Sequence, residues 1–318
     1  MIRRLVSGFH RTQQQITSPL EHLMAMSPMG SVEPFLDSTP LLTDPAALRS
    51  RADQLGYLFF PGLLSTQPIL SVRQQTLEIC QSHGWIQPDS SIDAGIAVND
   101  DVVIESTGDP RWQAFYNDAQ KLRDFHALAL SQPIIDALEV LFGEPVIAHP
   151  RNILRVIFPR SATHTTPPHQ DHFYIGGSRD TWTGWFPLGD CDVELGSLAM
   201  VPGSHLTGFH DVHEAKGAGG RAVEVDENST WAGGDFACGD VLFLHSLAIH
   251  QGRPNETDRL RLSCDFRYQP RSHEVRSDSL TPHMNWLTWD EIYAGWAADD
   301  PLRSYWEAWD LSVVSPQS

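Results

Sequence analysis

Residues 259–269 read RLRLSCDFRYQ. Successive side chains of a strand point to opposite faces. Leu260, Leu262, Cys264, Phe266 and Tyr268 therefore share one face, and Arg259, Arg261, Ser263, Asp265 and Arg267 share the other. The apolar face packs on a core. If the strand belongs to a barrel wall, its charged face looks at solvent or at a polar lumen. An arginine in such a lumen needs an anionic partner, because an unpaired buried charge is costly.

Other short strands surround this one. VIAHPRNILRVIFPR (146–160), TWTGWFPLGDC (181–191), GSLAMVPGSH (196–205) and DVLFLH (240–245) are β-branched or aromatic and bounded by Gly, Pro or Asp. Helical patterns precede them. LGYLFFPGLLS (55–65) reads as a strand ended by Pro61-Gly62. A helix then starts at Ser65 or Thr66, carries Ile69, Val72, Thr76, Leu77 and Cys80 on one stripe, and stops at Gly84. A second helical stretch covers residues 112–143, with a break near Pro133. Helices followed by a run of strands predict a mainly β fold with flanking helices, a barrel or sandwich buttressed on one side. We divide the chain into an N-terminal arm (1–50), a central domain (51–275) and a Trp-rich extension (276–318). In the extension, Trp289, Ile292, Tyr293 and Trp296, then Leu302, Tyr305, Trp306 and Trp309, fall at helical spacing. Such stripes are packing faces, and docking on the barrel is the expectation.

The chemistry centres on HQDHFYI (169–175). Read as a strand, it points His169 and Asp171 the same way and Gln170 and His172 the other. One imidazole and one carboxylate make half a metal site. His245 and His250 are the candidates for the missing ligand. Two histidines and one carboxylate on one face of a metal leave positions open, an arrangement that favours non-haem Fe(II) oxygenases, with zinc as the chemical competitor. A 2-oxo dicarboxylic acid chelating the iron needs a fixed cation for its far carboxylate. Arg261, eleven residues after His250, supplies one and favours iron.

In the order HQDHFY, WFPLGDCDVELGSLAMVPGSHLTG and GDVLFLHSLAIHQGRPNETDRLRLS, with LGYLFFPGLLS at the start, the chain resembles the phytanoyl-CoA dioxygenase (PhyH) family of Fe(II)/2-oxoglutarate oxygenases. The resemblance runs from about Leu55 to about Gln269. It implies a double-stranded β-helix, the cupin-like jelly roll. It implies His169, Asp171 and His250 as Fe(II) ligands, Arg261 with Ser263 as the anchor of 2-oxoglutarate, and Trp185 and Asn152 as further co-substrate contacts. O2 is the second co-substrate. His172, Phe173 and Tyr174 flank the ligands as candidate substrate contacts, and His245 becomes structural. Related halogenases carry a small residue where this chain has Asp171, so the resemblance implies hydroxylation. It leaves the substrate open beyond a small molecule. Phytanoyl-CoA itself is disfavoured, since its phosphates want basic residues. A jelly roll that only binds a ligand and a zinc hydrolase on a cupin-like barrel are the rival readings.

The totals agree. The net charge of −18 and the lack of any Lys/Arg run disfavour a nucleic-acid partner. No apolar run is read as approaching the roughly 20 residues of a membrane helix. Cys80, Cys191, Cys238 and Cys264 are scattered, which predicts reduced thiols in a cytoplasmic setting. The N-terminus carries three arginines before its first acid, Glu21. It reads as a basic arm, with a mitochondrial or other organelle transit segment as the alternative. Oligomeric state is not legible.

Overall fold

The computed structural model describes residues 30–98, 108–161 and 165–316. The basic N-terminal segment, arm or transit peptide, falls outside the described residues.

The chain enters through β1 (Val32–Glu33), α1 (Pro45–Leu55), β2 (Tyr57–Phe60) and α2 (Thr66–Ser82). Asp44 caps α1 by accepting from the Ala47 N–H at 3.0 Å, Pro45 supplies its first turn, and Gly56 ends it at φ +70°. Three helices follow: α3 (Pro110–Ala119), α4 (Arg123–Ala129) and α5 (Gln132–Phe142). After β3 (Val146–Ala148) and β4 (Ile153–Ile157) comes a single turn, α6 (His172–Ile175). Then come β5 (Trp182–Pro187), β6 (Leu198–Met200), the hairpin β7 (Val212–Glu214) with β8 (Arg221–Val223), and β9 (Trp231–Gly233). The fold closes with β10 (Val241–His245), β11 (His250–Gly252) and the ten-residue β12 (Arg261–Pro270). The tail adds β13 (Val275–Arg276), α7 (Trp289–Ile292) and β14 (Val313–Val314).

Two sheets form the jelly roll. The larger runs β2-β10-β5-β12-β3, with β4 also on β12, all antiparallel. The smaller runs β1-β9-β6-β11, antiparallel except for the β1/β9 pair. Between the sheets lie Tyr57, Phe59, Trp185, Leu198, Met200, Phe236, Leu242 and Leu244. Behind the larger sheet, α2 to α5 bury a second core that includes Leu262, Cys264, Phe266 and Tyr268. The alternation expected of β12 thus holds: its apolar face meets the helices and its polar face lies inside the roll. Every residue of β12 is buried.

Three expectations change. HQDHFYI is not a strand throughout. Only His169 bridges, to His250, while Asp171 has helical backbone angles (φ −61°, ψ −29°) and α6 follows. The N–H of His172 is taken by Ser246 O at 2.9 Å, which turns the chain out of the sheet. The Trp-rich tail forms one short helix and several 3-10 turns rather than two regular helices, yet it docks. Ile292, Tyr293 and Trp306 bury against Ile147 and Val275, and Tyr305 Oη donates to Ala148 O at 2.8 Å. Finally, residues 123–142 do reach the length and apolarity of a membrane span. The fold breaks them into α4 and α5, whose Phe125, Leu128, Ile134 and Leu138 pack in the core behind the larger sheet.

Candidate active site

The mouth of the roll gathers His169, Asp171 and His250, whose ligand atoms all lie within 4.8 Å of one another. The bridge between His169 and His250 delivers both imidazoles at once, with the N–H of each residue donating to the other's carbonyl at 3.0 and 3.1 Å. Each ring is oriented by its own chain. His169 Nδ1 lies 2.9 Å from Pro167 O and His250 Nδ1 lies 3.0 Å from Ala248 O. Nδ1 therefore carries the proton, and the lone pair of each Nε2 is free to face Asp171. The two Nε2 atoms are 3.6 and 4.0 Å from Asp171 Oδ1. Burial, reinforced by the neighbouring His169, lowers the pKa of His250 to about 4. Gln170 points away from the ligands and ties two loops, donating to Gly208 O and Leu247 O and accepting from the His210 N–H.

Asp171 is buried, which opposes its charge. Arg267 outweighs that, and together with the two histidines holds the carboxyl well below its usual range. Arg267 Nη2 is 3.2 Å from both carboxylate oxygens, and Thr183 donates to Oδ2. The pairing continues inward. Asp265 accepts from Arg155 Nε and stands 4.0 Å from Arg267 Nη1. Four charges of alternating sign thus line the roll.

Arg261 projects into the same pocket from the start of β12. It is 3% exposed, donates to Ser263 Oγ and lies 5.9 Å over the Trp185 ring. Among the described residues it has no carboxylate partner, and its Nε makes no hydrogen bond. A guanidinium buried without an anion is a cradle for one. Two imidazoles and one carboxylate suit a divalent iron, and this unmatched cation suits the far end of a 2-oxo dicarboxylate.

The structure therefore brings together His169, Asp171, His250, Trp185, Arg261 and Ser263. Asn152 is not among them. The register sets Ile153 opposite Asp265, inside the roll, so Asn152 points outward, where its side chain meets His126 Nδ1 at 3.0 Å. Of the three flanking candidates, Tyr174 comes nearest, its ring 6.0 Å from that of His169, while His172 packs on Phe209. Phe173 is partly exposed. His245 accepts from the Leu247 N–H and packs on Trp182, a structural role. The sequence reading missed Thr183, Arg155, Asp265 and Arg267 as parts of the site. For Asp265 and Arg267 the signal was the alternation already noted in β12; Arg155 on β4 and Thr183 on β5 are joined to them only by register.

The phytanoyl-CoA dioxygenase (PhyH) family matches residues 52–263. The chain belongs to this family, and so to the non-haem iron, 2-oxoglutarate-dependent oxygenases. Its relatives include the 1-deoxypentalenic acid 11-beta-hydroxylase of Streptomyces exfoliatus, 28% identical over 266 residues, covering 78% of this chain and 89% of the relative. The peroxisomal phytanoyl-CoA dioxygenase of Mus musculus is 25% identical over 228 residues, 67% of this chain and 65% of the relative. Among solved structures, the epimerase SnoN in complex with Fe3+, alpha ketoglutarate and nogalamycin RO superposes with a TM-score of 0.50 at 23% identity, over 73% of this chain and 87% of that one. The carbocyclase SnoK from nogalamycin biosynthesis gives 0.50 at 19%, over 85% and 92%. At these identities the structural likeness speaks for the shared fold.

Proposed function

We propose that the protein hydroxylates an unactivated C–H bond of a small organic molecule. In this reaction R–H, O2 and 2-oxoglutarate become R–OH, succinate and CO2. The observation that carries the reading is the convergence of His169, Asp171 and His250 beside a buried, unmatched Arg261. When bound, Fe(II) and 2-oxoglutarate together supply the oxidising power.

This chain's residues do the rest. His169, Asp171 and His250 hold the metal from one side. Arg261, steadied by Ser263, takes the far carboxylate of the co-substrate, and Trp185 walls it. Arg267 and Thr183 keep Asp171 ionised and aimed. Leu198 and Leu244 line the pocket and exclude water. The Streptomyces relative is named for a hydroxylation, and Asp171 occupies the place of the small residue seen in related halogenases. Both favour hydroxylation among the oxidations open to such a site.

The test is succinate release from 2-oxoglutarate under O2 with added Fe(II). His169→Ala is expected to fall to background, and turnover equal to wild type would sink the assignment. Arg261→Ala loses a charge-assisted pair, so the 2-oxoglutarate KM should rise at least about tenfold. An unchanged KM would place the anchor elsewhere.

A further inference from the structure

Asp265 is a buried carboxylate outside the group of three candidate ligands. It stands on the inner face of β12 with Arg261, Ser263 and Arg267, opposite Ile153 of β4 and Trp185 of β5. Only 4% of it is exposed, and it lines the same pocket as His169, Asp171 and His250. Its Oδ1 makes no hydrogen bond. Its Oδ2 faces two guanidinium groups: Arg155 Nε donates to it, and Arg267 Nη1 stands 4.0 Å away.

The two guanidinium groups differ in what else they hold. Arg267 reaches Asp171 with Nη2, 3.2 Å from both oxygens, and its Nη1 lies 3.4 Å from the Asp265 carbonyl. Arg155 has Asp265 as its one carboxylate partner among the described residues. Burial opposes the charge of Arg155; Asp265 outweighs that, and Asp171 adds to the effect. Arg155 thus feels both acids and bonds to one. Arg151 does not compete, because Asp278 O, Thr281 Oγ1 and Pro282 O hold it. If Asp265 lost its charge, Asp171 would be the one carboxylate left among the described residues lining the pocket. A guanidinium buried without an anion is costly, so Arg155 would turn to Asp171. A second guanidinium there would take up the oxygen that faces the two imidazoles, Oδ1, which lies 3.6 and 4.0 Å from their Nε2 atoms. It would also bring a positive charge up to the metal.

We propose that Asp265 is a positioning residue for the metal site: it retains Arg155, and so leaves Asp171 with a single guanidinium and with Oδ1 turned to the metal. It acts without touching metal or co-substrate. The proposal rests on the reading of His169, Asp171 and His250 as the ligands.

The probe is Co(II), titrated calorimetrically into the full chain. Asp265→Asn keeps the shape and removes the charge. It should weaken Co(II) binding by about 10- to 100-fold, the scale on which groups behind a ligand act. Adding Arg155→Gln removes the freed cation, so the double variant should bind Co(II) at least about tenfold more tightly than Asp265→Asn, the non-additivity of a coupled pair. General damage to the fold would not be repaired by truncating a second side chain of the same cluster. With Co(II) saturating, 2-oxoglutarate should bind Asp265→Asn no more weakly than wild type, because the variant takes a negative charge out of its pocket. Unchanged Co(II) affinity in Asp265→Asn, a double variant as weak as that single one, or a parallel loss of 2-oxoglutarate affinity would overturn the proposal. Where Asp265→Asn does not fold, the double variant decides, since it strands no cation: it should stay within about tenfold of wild type for Co(II), and a larger loss would overturn the proposal. His169→Ala tests the ligand reading separately. Co(II) affinity equal to wild type there would sink that reading, whereas a loss there with none in Asp265→Asn would overturn the proposal alone.

Discussion

Removing Arg267 leaves Asp171 a buried carboxylate without its cation. Breaking such a pair from one side costs about 3–5 kcal/mol. Arg267→Met should therefore lower the urea midpoint and, because Asp171 loses its orientation, weaken Co(II) binding by about 10- to 100-fold. A midpoint and a metal affinity like those of wild type would show that Arg267 does not position Asp171. In the sequence, the spacing of His169 and Asp171 offered half a metal site and left His245 and His250 both open, and the family resemblance implied His250 as the third candidate ligand. The groups that tune them were not legible there. Arg267 and Asp265 stood on the polar face of β12 in the sequence. Their partners Asp171 and Arg155 lie 96 and 110 positions away, and only the folded register makes those pairs. Asn152 failed for a related reason: one position along a strand reverses the face.

Strand β12 binds the larger sheet together, with β5 on one side and β4, then β3, on the other. Its Phe266 lies between Phe125 of α4 and Phe186 of β5, with ring centroids 5.6 and 5.5 Å away. Phe266→Ala should cost about 3–5 kcal/mol by opening a cavity there. Chemical denaturation measures it, and a loss under about 1 kcal/mol would mean that the layers close over the gap. At this scale legibility followed length and alternation. The apolar/polar alternation of β12 and the stripe of α2 were plain. HQDHFYI is seven residues and mostly polar, so nothing in it distinguished a strand from a bridge followed by one helical turn. The distinguishing contact, His172 N–H to Ser246 O, is long-range. The tail misled in the other direction. Its aromatic spacing identified the packing face, but the pieces are too short and too interrupted to propagate an α-helix.

At the scale of the whole molecule, several histidines are folded into places where burial disfavours their charge. His126 hydrogen-bonds Asn152 and Gln120, and His149 hydrogen-bonds Gln269; burial lowers both to a pKa of about 4. An unfolded chain titrates them near 6.5. Above about pH 7 neither state binds the proton, and these groups do not affect stability. Between about 6.5 and 4 the unfolded state binds more protons, so stability falls as pH falls, by up to about one proton per residue. Urea midpoints of the metal-free protein should drop from pH 7 to pH 5, with a shallower drop in His149→Gln. Equal slopes for the variant and wild type would remove His149 from the account.

The candidate metal ligands and the candidate co-substrate anchor do not come from one sheet. His250 lies on β11 of the smaller sheet, whereas Arg261 and the two groups that hold Asp171, Thr183 and Arg267, lie on the larger. Whatever fills the site is a stitch between the two halves of the roll. By mass action its binding free energy adds to the free energy of unfolding. For a chain with this plan, added Co(II) and 2-oxoglutarate are expected to raise the urea midpoint together.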